Sequence, residues 1–190
     1  VDVLVTDMRD DPVVAGIVVN VRDVTSRRQA ENLLSEQADL LEAIARGAPL
    51  EITLQKVAQM IEHSIEGAKG AVGMLDSDGV IRVRAAPSLP RQIVNLLNEL
   101  SPQATHSIEL EQAGTTGFVE IDLETDDRFS SHRAFLDSGF RRCRVAPLLA
   151  PGSGELLGAI TVFESTLNPL TFEASGLLNR ARNLSAIAIE

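Results

Sequence analysis

The chain of 190 residues has no Trp, no Tyr, six Phe, three His and a single Cys, and each scarcity narrows what it can be. Rings with an apolar body and a polar tip anchor sugars, bases and protein hot spots, so a chain without Trp or Tyr is poorly equipped for such partners. Its core must be aliphatic. Cys143, standing alone, can form neither an internal disulfide nor a CxxC metal or redox pair, and a reducing cytoplasm is its natural setting. His63, His106 and His132 share no ligand spacing, so no metal site is expected. No apolar run approaches the ~20 residues of a membrane span, and the opening Val1-Asp2-Val3-Leu4 lacks both the basic start and the apolar stretch of a signal peptide. A membrane partner is therefore not expected. An initiator Met is also missing, which suggests a segment of a longer protein.

Basic charge is short as well. The formal net charge of -10 and pI near 4.8 repel nucleic-acid phosphates and anionic lipid, so neither is an expected partner. The one basic cluster, Arg141, Arg142 and Arg144, is too small to reverse that field and reads as a solvated strand edge.

What is present falls into three stretches. Residues 1–7 alternate with period two, Arg9-Asp10-Asp11-Pro12 carries turn chemistry, and residues 15–21 form a β-branched run, together predicting a β-hairpin. A two-stranded hairpin alone is marginal in water, so this one calls for more sheet or a partner. From Thr25 the period becomes helical: Ala30, Leu34, Gln37, Leu41 and Ile44 are spaced four, three, four, three, with Leu33 and Leu40 widening the stripe. Such a seam suits a two-stranded coiled coil or an amphipathic packing helix. Gly47, Ala48 and Pro49 end it.

Beyond Pro49, Leu54, Val57, Ala58, Ile61 and Ile65 mark a helix face, followed by strands at 71–76 and 80–85 about the Asp78-Gly79 turn. A helix is predicted over 90–100, a loop over 101–116, a strand over 117–123 and a short helix over 130–138. Strands at 142–149 and 156–164 are joined by the Pro151-Gly152-Ser153-Gly154 turn, and Thr171 caps a last helix with Leu177, Ala181, Leu184 and Ala188 on one face and Ile187 beside it. Hairpins with helices between them imply an α+β domain on an antiparallel sheet.

Chemistry-bearing patterns are few. Cys143 alternates with Val145 on a predicted strand, where a buried thiol is the common occupant, though a nucleophile paired with one of the histidines is the alternative. Asp122, Glu124, Asp126 and Asp127 share a loop without a lysine or a Gly-rich phosphate cradle, which suits a solvated loop or a ligand rim better than a catalytic pair. No P-loop, GxGxxG, GxSxG, HExxH or kinase signature occurs, and no catalytic residue is assigned.

The segment Gly16 to Thr25, ending Asp23-Val24-Thr25 and running into a heptad helix, resembles the close of a PAS domain. Residues 40–50, 85–90, Pro147-Leu148 with Leu157-Gly158, and 184–190 resemble the GAF domains that follow PAS domains in proteins ending in GGDEF and EAL modules. That resemblance implies residues 1–24 as the C-terminal strands of a PAS domain, 25–47 as a signalling linker helix, and 48–190 as a GAF domain with a six-stranded antiparallel sheet flanked by helices. The chain departs from the pattern in its middle. Glu111 to Gly117 lacks the family's Gly-x-Gly-x-Cys-Gly cysteine, Ser130 to Arg133 lacks a bilin-attaching cysteine, and the cyclic-nucleotide signature is absent, so no covalent cofactor is expected.

The expectation that follows is a non-catalytic sensory module of bacterial signalling type. It would form a homodimer through the linker and terminal helices, with Leu34, Leu41 and Ile44 in the seam, and relay to a C-terminal output domain that makes or degrades cyclic di-GMP. Met74, Phe118, Asp126, Phe129, Phe135 and Cys143 are the candidate lining of a small-molecule pocket, with plain core packing as the equal alternative. A ligand-free dimerisation spacer and a Cys143-dependent redox or chromophore protein are the rival functions.

Overall fold

The computed structural model describes residues 1–10, 12–14, 16–107, 117–126 and 133–190. Two compact units emerge, Val1–Asp39 and Leu40–Glu190, and their boundary falls within a helix.

The first unit opens with strands β1 (Asp2–Met8) and β2 (Gly16–Arg22), paired antiparallel. Register sorts their side chains into unlike faces. Val3, Val5, Ile17, Val19 and Val21 share one face with Asp7, whereas Leu4, Thr6, Met8 and Val18 share the other with Asp2, Asn20 and Arg22. The five aliphatic residues of the first face are all exposed, by 54% to 62%. A strand pair with one apolar and one mixed face is built to be covered on one side. Helix α1 (Thr25–Ala45) follows, and Ala48 N–H donates to Ala43 O at 2.9 Å where the Gly47-Ala48-Pro49 stop was expected.

The second unit is an α+β domain. Its sheet comprises β3 (Lys69–Leu75), β4 (Ile81–Ala85), β5 (Val119–Asp122), β6 (Arg142–Leu149) and β7 (Leu156–Glu164) in the order β4-β3-β7-β6-β5, every neighbouring pair antiparallel. Among the described residues it has five strands where the resemblance implied six. Helix α2 (Leu50–Ser64) buries Leu54, Val57, Ala58 and Ile61, the face its periodicity marked. Helix α3 (Arg91–Ser107) continues past the expected end at Leu100. Residues 101–107 offer no clear period to read, but a helix already nucleated continues without one. Helix α4 (Ala134–Asp137) is a single turn, and α5 (Phe172–Ile189) begins at Thr171, whose side chain accepts from Ala174 N at 3.1 Å. Ile187, expected beside the buried stripe of α5, is 45% exposed.

Register divides the sheet into two faces. Ala71, Gly73, Cys143, Val145, Ala159 and Phe163 lie on one; Gly70, Val72, Met74, Arg144, Ala146, Ile160 and Val162 lie on the other. Helices α2 and α5 pack together against the second face, α2 on β3 and α5 on β6 and β7. One glycine of β7 allows β3 and β7 to run this close. A Cβ on Gly158 would stand 2.1 Å from Gly73 O, so the ladder admits no side chain there.

Candidate functional site

The first sheet face carries a continuous apolar cluster. Ile121 of β5, Cys143 and Val145 of β6, Ala159 and Phe163 of β7 and Ala71 of β3 meet Ile93 of α3, Phe135 of α4, and Leu89, Leu123 and Phe140 from connecting segments. Three rings stack at its centre: Phe135 and Phe163 are nearly parallel with centroids 5.6 Å apart, and Phe140 is tilted against Phe163 at 5.1 Å. Phe135 is wholly buried and Cys143 is 1% exposed. Helix α3 is tied to the segment after α4 by Gln92 Nε2 to Ser138 Oγ, 3.3 Å.

A polar rim begins where β5 ends. Asp122 accepts from Glu124 N at 2.9 Å through its carboxylate, its carbonyl accepts from Asp126 N at 3.0 Å, and Leu123 N donates to Arg141 O at 3.0 Å. These bonds fold Asp122 to Asp126 into a compact turn with Asp126 half-buried.

The six candidate lining residues are thus not one group. Phe135 and Cys143 belong to the same cluster, Phe118 is half-buried just before β5, and Asp126 sits in the rim. Met74 lies apart from them: its register opposite Gly158 places it on the α2–α5 face, away from Cys143, a parity that the sequence could not fix without the strand pairing. Phe129 lies outside the described residues. A Cys143–His63 pair is not formed, since His63 is exposed on α2, the helix that packs on the opposite face; His132 lies outside the described residues. No three His, Cys, Asp or Glu side chains converge on a metal position among the described residues.

Of the expected dimer seam, Leu34 is 65% exposed, Leu41 is 47% exposed and Ile44 is half-buried.

A feature missed at the level of sequence lies on the second face. Arg144, expected on a solvated edge, is buried to 1% exposure. Its Nε donates to Glu120 Oε1 of β5 at 2.8 Å, its guanidinium pairs with the Glu164 carboxylate of β7, and its Nη2 donates to Asn168 O at 3.1 Å. Burial pushes the Arg144 pKa down, while Glu120 opposes that shift; a guanidinium remains charged under such conditions. Arg142 stands 3.7 Å from Glu120 and donates to the carbonyls of Asn168, at 2.5 Å, and Leu167. The signal was alternating charge, Arg142 and Arg144 on one strand and Glu120 and Asp122 on another, which acquires meaning once the two strands are known to be neighbours.

The strand order and flanking helices of the second unit define the GAF fold. A phycoerythrobilin-bound GAF domain from a cyanobacterial phytochrome superposes with a TM-score of 0.58 at 17% identity, covering 83% of this chain and 94% of that one. A domain of a putative two-component sensor histidine kinase from Sinorhizobium meliloti gives 0.57 at 17% identity, covering 72% and 88%. A GAF domain/HD domain protein from Geobacter sulfurreducens gives 0.57 at 12%, covering 75% and 93%. Among curated proteins, the methyl sulfide methyltransferase-associated sensor of Methanosarcina acetivorans is 30% identical over 172 residues, which is 88% of this chain and 17% of that protein. The chain therefore spans about a sixth of that relative's length. No protein-family model matches the chain. Among the described residues, no helix is long and apolar enough to cross a membrane.

Proposed function

We propose that the chain is a non-catalytic sensory module: a GAF domain over 48–190, preceded by the last strands of a PAS domain over 1–24 and a signalling helix over 25–47. The observation that carries this reading is the GAF fold of the second unit, together with 30% identity to a curated sensor across 88% of the chain. The one-sided apolar face of the β1–β2 hairpin supports the PAS assignment, because it is the face that further PAS structure would cover. Two copies associate along α1, with Leu34, Leu41 and Ile44 in the seam. Phe118, Asp126, Phe135 and Cys143 contribute to the ligand side of the sheet, and α5 relays the change to an output domain of the kind that makes or degrades cyclic di-GMP.

The test is thermal unfolding of the chain against a panel of cytosolic metabolites. A ligand present at 100 times its Kd stabilises the folded form by about 2.7 kcal/mol, a readily measured rise in Tm. A panel in which nothing raises Tm, with the dimer intact, favours the second reading, a dimerisation spacer. One observation speaks for that reading: Phe135 and Cys143 are spent on a packed core. The same burial counts against redox or chromophore chemistry at Cys143, which requires an accessible thiolate.

A further inference from the structure

The Arg144 cluster does more than neutralise a buried charge. Two cations, Arg142 and Arg144, and two anions, Glu120 and Glu164, form a group with no formal net charge spanning β5, β6 and β7. Both arginines also donate to one place, the carbonyls of Leu167 and Asn168. Those residues belong to the exposed connector between β7 and α5, three and four residues ahead of the Thr171 cap. A chain segment with little burial of its own is thereby fastened to the sheet by two arginines whose position Glu120 sets from the edge strand.

A separate contact ties the segment leading into β5 to the middle of α5. Arg182 Nη1 donates to Gly117 O at 3.3 Å. Gly117 has φ +79°, and a Cβ there would lie 2.6 Å from Asn179 Oδ1 and 3.0 Å from Arg182 Nη1. The left-handed backbone conformation favours glycine there, whereas the neighbouring atoms are the ends of side chains that can move aside. The edge strand is therefore linked to α5 twice, through Gly117, two residues ahead of its first residue, and through Glu120, the arginines and the connector. Strand β5 also leads directly into the Asp122 to Asp126 rim.

We propose that Glu120, Arg142 and Arg144, together with the Arg182–Gly117 contact, form a latch that makes α5 follow edge strand β5, so that a shift of β5 is passed to the C-terminal helix. Its use in signalling rests on the sensory reading above, but the coupling is a property of the ligand-free chain and is measured without any ligand. Coupling of this kind is reciprocal, so loosening either end loosens the other.

Amide hydrogen exchange on the 190-residue chain reads it directly. Glu120→Gln removes a partly exposed charge and leaves the buried arginine in place. It is expected to speed exchange at Ala174 to Gly176, the first turn of α5, by about tenfold, within the usual range of coupling factors, with amides of α2 from Val57 to Ile61 unchanged. Arg182→Ala is expected to do the reverse, speeding exchange at Val119 and Ile121. Glu155→Gln, an exposed change on the β6–β7 turn, is the control and moves neither. Unchanged α5 exchange in Glu120→Gln overturns the latch, as does an equal rise in α2 and α5, which signals general loss of stability. A failed latch leaves the ligand screen untouched, and a failed screen leaves the exchange result standing.

Discussion

Glu120 and Arg144 face each other across the β5–β6 ladder at 2.8 Å, the cation's side chain wholly buried and the anion's 44% exposed. The arginine is committed to the interior, while the glutamate sits where solvent and neighbouring groups can reach it. That asymmetry makes Arg144 the costly residue to alter and Glu120 the tunable one.

Replacing Arg144 by Met should destabilise the chain by about 3–5 kcal/mol, because Glu164 would be left buried without its partner. The double change Arg144→Met with Glu164→Leu should recover a large part of that loss, since apolar side chains of similar volume often replace a buried pair without penalty. Urea unfolding of both variants measures this. A single variant as stable as the parent would show that the buried pair contributes nothing.

Cys143→Ser should cost about 1–3 kcal/mol, the range for placing a hydroxyl in an apolar cluster. The native thiol should react slowly with a thiol reagent and quickly in denaturant. Rapid reaction in the folded protein would reopen the redox reading.

Leu34→Glu combined with Leu41→Glu should convert a dimer into a folded monomer, since both side chains are largely exposed at heptad spacing. Sedimentation gives the mass and circular dichroism the fold. An unchanged mass excludes α1 as the seam.

Gly158→Ala should be among the most damaging small changes, at about 1–3 kcal/mol or more, because the added methyl meets Gly73 O and the paired strands must part. A melt unchanged from the parent would mean that β3 and β7 do not approach as closely as described.

Asp7 provides a pH prediction. Hydrogen bonds from the Arg9 side chain, then from its backbone N–H, hold the carboxyl below its ordinary value. A depressed folded value means that the contribution is present above the ordinary carboxylate range and is lost as pH falls through the folded value. Titration of the Asp7 carboxyl by NMR should show the depression in the parent chain and its disappearance in Arg9→Ala.

Much of this architecture was readable locally. The switch from period two to helical spacing at Thr25, the Gly47-Ala48-Pro49 stop, the Asp78-Gly79 and Pro151 to Gly154 turns and the Thr171 cap are each decided by residues within a few positions of one another. Local backbone preference and hydrophobic periodicity suffice for such features. Phe135 and Cys143 were named together only as candidate pocket lining, and local reasoning stops where parity matters. Met74 and Cys143 are both apolar strand residues, and which face each takes depends on a register set by strands that meet from distant parts of the chain.

By itself, then, the sequence determined the elements, the α+β class and the lack of a local catalytic motif, whereas the core expected to be aliphatic is centred on the Phe135, Phe163 and Phe140 rings. Tertiary structure alone decided that Arg144 is interior, that Glu120 and Glu164 reach it from strands on either side, and that Gly117 lies against α5. The physical reason is one of range: a turn or cap is satisfied by neighbours in the chain, whereas the partner of a buried charge is supplied by whichever strand pairing brings alongside.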